Sequence, residues 1–204
     1  MPLGLFGLAA ASLVVSGLEL SWISMSQRLL VGVILVAFPV ALQLTASLLC
    51  FLSRDGAAGS ALGVLAGTWL TVGAVYVISR PGSTSGALGL LLLVAAAALA
   101  LSAIAAGLSK LIPATVLLVS GIRFATTGIY ELSSNEAWQD AAGAVGLALT
   151  VLALYTAFAL ELEGATGRTV LPLLRRGLRR RAVEGPLDAQ LGDVESEAGV
   201  RKTL

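Results

Sequence analysis

The chain of 204 residues is 57% hydrophobic and only 12% charged, whereas an ordinary soluble domain carries about 25% charged residues. A formal net charge of +1 offers no general affinity for nucleic acid, so no nucleic-acid partner is expected. Histidine is absent and Cys50 is the lone cysteine, which excludes disulfides, thiolate metal clusters and histidine-based triads or relays. No metal, no cofactor and no catalytic centre are therefore expected.

A hydrocarbon core about 30 Å thick takes roughly 20 apolar residues of helix, because each residue rises about 1.5 Å and every backbone amide must be satisfied within the segment. Residues 3–21, 29–52, 57–79, 87–108, 112–132 and 138–162 meet that length, each bounded by a charge, a proline or turn formers. The expectation is an all-α membrane protein, a six-transmembrane-helix bundle over residues 1–172. Residues 173–204 form a basic juxtamembrane segment and a disordered tail.

The first span is apolar from Leu3 with no basic residue before it, which argues against a cleaved signal peptide. It ends on Glu19, close to Trp22. The second span contains Pro39 and Gln43, a kink position and a polar position. Ser53-Arg54-Asp55-Gly56 and the stretch 80–86 are turns by composition, so neighbouring helices run antiparallel. In the third span Gly59, Gly63 and Gly67 fall four apart, followed by Thr71. Such spacing lets another helix approach closely, either in the same chain or in a neighbouring protomer. Gly143 and Gly146 repeat the theme weakly in the sixth span.

Arg123 lies near the middle of the fifth span, where a charge facing lipid costs several kcal/mol. It must face protein or water. Glu19 is its natural partner, since a rise of 1.5 Å per residue puts Glu19 about 24 Å and Arg123 about 16 Å above the inner ends of their helices, a difference a long arginine spans. Arg123 then serves either as one half of a structural ion pair or as an anion contact along a solute path. Glu19 could instead reach the outer interface beside Trp22. Thr126 and Thr127 are further polar positions on the fifth span. Glu131 closes it as Glu19 closes the first, so two carboxylates could share one outer mouth, with Glu136 and Asp140 beyond.

Basic residues near span ends stay in the cytoplasm. Placing both termini there puts Arg54, Lys110, Arg168, Arg175, Arg176, Arg179, Arg180 and Arg181 inside and leaves Arg28 and Arg80 outside. The cluster from Arg175 to Arg181 reads as a stop-transfer anchor or as a patch for anionic membrane lipids.

Several strings resemble the acetate uptake transporter family. That family opens its first helix with Asn-Pro-Ala-Pro-Leu-Gly-Leu, and this chain opens with Pro2-Leu3-Gly4-Leu5. Its third helix carries an aromatic-Gly-x-x-Trp-Leu pattern, matched by the stretch from Phe51 to Leu70. Its last helix is matched by Tyr155-Thr156-Ala157 and by Gly167-Arg168-Thr169-Val170-Leu171-Pro172. The resemblance implies a multi-pass protein of the cell membrane that forms a homo-oligomer, trimeric or hexameric. It would pass a small carboxylic acid such as acetate, as a channel or together with protons. It further implies that Pro2, Leu3 and Gly4 lie near the substrate entrance and that Leu8 and Leu65 form a pore constriction, where the family commonly has Phe and Tyr. Glu19 and Arg123 depart from the family pattern. The competing expectations are a channel for a small neutral solute, urea or ammonia, and a non-transporting membrane scaffold closed by Leu8, Leu65 and the Glu19–Arg123 pair.

Overall fold

In hydrocarbon no water is available to the backbone, so each apolar stretch must close its hydrogen bonds on itself as a helix. The computed structural model describes residues 1–108 and 110–174 and contains α1 (Pro2–Glu19), α2 (Arg28–Ala37), α3 (Pro39–Leu52), α4 (Gly56–Ile78), α5 (Gly86–Gly107), α6 (Leu111–Ser133) and α7 (Glu136–Thr166). These make six helical spans long and apolar enough to cross a membrane, with α2 and α3 sharing the span Met25–Leu52. The basic residues from Arg175 onward and the tail lie outside the described residues.

The division of the second span follows from Pro39. Proline has no N–H to give Leu35 and its ring crowds that carbonyl, so α2 closes with Phe38 N–H on Ile34 and α3 resumes with Leu42 N–H on Phe38 at 3.3 Å. α1 crosses at this break. A Cβ on Gly7 would lie 3.2 Å from the Pro39 carbonyl oxygen.

Three helices open on side-chain caps: the Asp55 carboxylate accepts from Ala58 N, the Ser85 hydroxyl from Leu88 N and the Asn135 side chain from Ala137 N. α6 is capped by the chain itself. The carbonyls of Leu174 and Leu173 accept from Leu111 N at 3.3 Å and Ile112 N at 3.4 Å, using donors that a helix start leaves orphaned. Leu173 is buried by this return, and Tyr155 Oη donates to the Pro172 carbonyl at 3.0 Å. At the same end a Lys110–Asp55 ion pair of 2.8 Å ties two turns together.

The spans close into a ring. α1 packs on α7 and α3, α4 on α2, α3 and α5, α6 on α5 and α7, while α1 and α4 meet only weakly across the centre. Large apolar side chains such as Leu90, Val94, Leu101 and Ile104 face outward, as a hydrocarbon solvent requires.

Close backbone approaches are made by glycine pairs, one glycine from each of two different helices. A Cβ on Gly73 would lie 2.8 Å from the Gly32 carbonyl oxygen, and one on Gly32 would lie 2.7 Å from that of Gly73. Gly89 and Gly128 repeat the arrangement between α5 and α6, at 2.9 and 3.0 Å. Within the α4 strip, Gly59 abuts Phe51 and Gly63 faces the Ser47 hydroxyl, both on α3 of the same chain, whereas a Cβ on Gly67 would meet nothing within 4 Å. Gly73→Ala and Gly128→Ala should therefore each cost about 1–3 kcal/mol, because the obstructing atoms are backbone. Gly67→Ala should be neutral or stabilise by up to about 1 kcal/mol through helix propensity. Thermal unfolding of the three purified variants in detergent checks this order.

Candidate functional site

The helices diverge at the end of the bundle where α1 stops, and the site is built there. α1 gives out at Glu19 because the next residues leave the helical region: Ser21 has φ 60° and Ile23 N–H turns back to the Gly17 carbonyl at 2.9 Å. Around this end lies a vestibule of about 420 Å³, lined among others by Glu19, Met25, Tyr130, Glu136, Gln139 and Asp140. Next to it, sharing Glu19, Met25, Gly82, Tyr130 and Gln139, lies a throat of about 20 Å³ bordered also by Leu18, Arg28, Tyr76 and Glu131. A throat of that size holds about one water molecule.

Each charge in the throat is held in place. Arg28, only 4% exposed, donates from Nη1 to the Arg80 carbonyl at 2.6 Å, and its guanidinium stands 4.5 Å from the centroid of the Tyr76 ring, a cation–π distance. Glu131, at the end of α6, accepts from the Ser85 backbone N–H at 2.6 Å. Glu19 and Glu131 thus border one opening, with a guanidinium beside them.

Below the throat the Glu19 carboxylate meets Arg123. Arg123 Nη1 donates to Glu19 Oε1 at 3.0 Å and Nη2 lies 2.6 Å from Oε2, with Arg123 1% and Glu19 5% exposed. Nη1 also donates to the Thr127 hydroxyl at 2.8 Å, and Gln139 Nε2 donates to the Glu19 carbonyl. Both terminal guanidinium nitrogens face the carboxylate, as such pairs prefer, but only Nη1–Oε1 has hydrogen-bond geometry and Oε2 takes part through the ion-pair contact alone. Thr126, by contrast, spends its hydroxyl on its own helix, on the Ile122 and Arg123 carbonyls.

A set of buried polar atoms without partners extends inward from this pair: Ser12 Oγ and Ser16 Oγ on α1, both Gln43 amide atoms on α3, Trp69 Nε1 on α4 and Arg123 Nε on α6. Counted at 1.5 Å per residue from the opposite end of each helix, they fall at heights of about 14 to 21 Å, a slab near mid-membrane. Ser16 and Arg123 Nε come together at Gly146 of α7, where any Cβ would strike both. Buried polar groups are satisfied in nearly all native structures, so this slab gathers at mid-membrane depth hydrogen-bonding groups that their protein neighbours do not satisfy, most of them donors.

The other residues singled out in the sequence lie away from the vestibule. Pro2, Leu3 and Gly4 begin α1 at the far end of the bundle, with Gly4 packed against Leu62 and Ala46. Leu8 and Leu65 are 0% and 1% exposed and border neither vestibule nor throat. Gly143 receives the side chain of Leu20. Arg28 reads in sequence as a topology signal, because it is a basic residue at a span start, and Tyr76, Tyr130 and Gln139 beside it carry no sequence signal of a site.

No family model and no curated protein sequence matches the chain. Among solved structures the fold is similar to that of the bacterial acetate channel SatP, with a TM-score of 0.75 and 21% sequence identity over 84% of this chain and 96% of that one. At this identity the likeness is one of architecture, and the chain is a six-helix membrane protein built on the fold of that channel.

Proposed function

We propose that the chain is a divergent member of the acetate uptake transporter family that passes a small monocarboxylate such as acetate through the interior of its own six-helix ring. The observation that carries this reading is the buried Glu19–Arg123 pair set behind the vestibule and throat, with Ser16, Gln43 and Trp69 bringing further buried polar groups to mid-membrane depth. A polar solute crossing a membrane needs donors where water is excluded, and those donors are otherwise costly to bury. The fold likeness to an acetate channel favours the same class of solute.

In this reading Leu8 and Leu65 close the inner half of the path in the state described, and Pro2, Leu3 and Gly4 flank the opening beyond them. The cell membrane is the expected location. The resemblance in sequence suggests a trimer or hexamer, with Gly67 and the outward face of α4 free to meet a neighbour.

Uptake of labelled acetate and of labelled urea into proteoliposomes tests the proposal. Saturable acetate uptake without urea uptake is expected, and Leu65→Ala should raise the acetate rate severalfold by widening the closure. Urea uptake without acetate uptake would transfer the reading to a neutral solute. No flux of either, in wild type and Leu65→Ala alike, would leave a scaffold.

A further inference from the structure

We infer that Arg123 is the carboxylate-binding residue of this interior and that Glu19 is its resident ligand, exchanged for a small monocarboxylate arriving from the vestibule. The inference rests on the reading of the chain as a monocarboxylate conduit and assigns the binding residue within it.

Glu19 faces two ways. Its carboxylate accepts a hydrogen bond from Nη1 of Arg123 and lies within ion-pair distance of Nη2, yet the same residue borders both the throat and the vestibule. It stands at the last position of α1, before a chain reversal at Ser21, so its side chain has an open volume to swing into. Arg123 has no such freedom: Thr127 holds Nη1, Phe124 beside it packs edge-on against Trp69 at 5.2 Å, and Gly146 lies against Nε. The guanidinium is thus the fixed partner and the carboxylate the movable one. A solute carboxylate reaching the throat meets a preformed fork already shaped around a group of its own chemistry. Arg123 Nε and Ser16 Oγ, both buried and without partners, add two donors beside the fork.

The stereochemistry supplies a direct test. Glu19→Ala removes a CH2–COO⁻ fragment, whose heavy atoms are those of acetate. Thermal unfolding of the full chain in detergent is measured for wild type, Glu19→Ala and Glu19→Ala/Arg123→Gln, in sodium acetate and in sodium chloride of equal concentration. Acetate, and not chloride, should raise the midpoint of Glu19→Ala in proportion to the logarithm of its concentration, as for any ligand of the folded state alone. The shift should vanish in the double variant. If Glu19→Ala does not fold in chloride, its folded yield in acetate gives the same readout. An acetate effect no larger than that of chloride, or an equal effect on the double variant, overturns the inference. Rescue of Glu19→Ala by acetate while the wild type passes none would sink the conduit and leave Arg123 a carboxylate site. Acetate flux without rescue would keep the conduit and overturn the role given to Arg123.

Discussion

Replacing Arg123 with Met while Glu19 stays is expected to destabilise the protein by up to about 3–5 kcal/mol, because the buried carboxylate loses its charge partner and must turn out toward the vestibule. The single change Glu19→Leu should cost a similar amount by stranding the guanidinium, which keeps Thr127 as its side-chain partner among the described residues. The double variant Glu19→Leu/Arg123→Met should recover most of the loss, since a well-packed apolar pair of similar volume often equals a buried ion pair. A double-mutant cycle on unfolding in mixed detergent measures this. The diagnostic is the comparison with transport: the double variant should be stable and inactive. That combination separates a pair kept for solute passage from one kept for architecture.

The second large effect concerns protons. Charge balance at Arg123 admits one carboxylate per guanidinium, since a second negative charge in that site would be uncompensated. When a solute carboxylate takes the fork, Glu19 moves toward the throat, where Glu131 already sits and only Arg28 is positive among the groups described there. In the proposed exchange, neutrality then calls for a proton to travel with the solute. Wild-type acetate uptake should accelerate when the outside is made acidic. Glu19→Gln, which keeps the shape and removes the charge, should still pass acetate and lose most of that acceleration. Uptake into proteoliposomes with an imposed pH gradient checks it, and an unchanged response in Glu19→Gln would remove Glu19 from coupling.

Much of this architecture was legible in the sequence because hydrocarbon imposes a length and a composition on every span. The six spans, the break at Pro39 and the partnership of Glu19 with Arg123 all follow from helix rise and the cost of a charge at depth. What escaped were properties that need two helices at once. The α4 strip is visible as a spacing, yet close backbone approaches join Gly32 to Gly73 and Gly89 to Gly128, and each pair takes one glycine from each of two different helices. Arg28 was read as a loop charge, although its guanidinium turns into the throat against Tyr76. Gln43 reads in sequence as a polar position of the second span, and only the assembled ring leaves it without a protein partner, as it does Ser12. The return of Leu173 and Leu174 under α6 gives no sequence signal either, since it depends on the carbonyls meeting donors 60 residues away in the chain.

In the proposed function, solute travels inside the ring, past the buried polar groups at mid-membrane depth. Ser12 lies on that route, fully buried, about two helical turns inward from Glu19, and Cys50 is the lone native thiol. In a Cys50→Ser background, Ser12→Cys should become reactive toward a small thiosulfonate reagent, acetate should slow the reaction, and the modified protein should lose acetate uptake. Full-rate uptake with the introduced thiol completely modified would contradict a path through the ring.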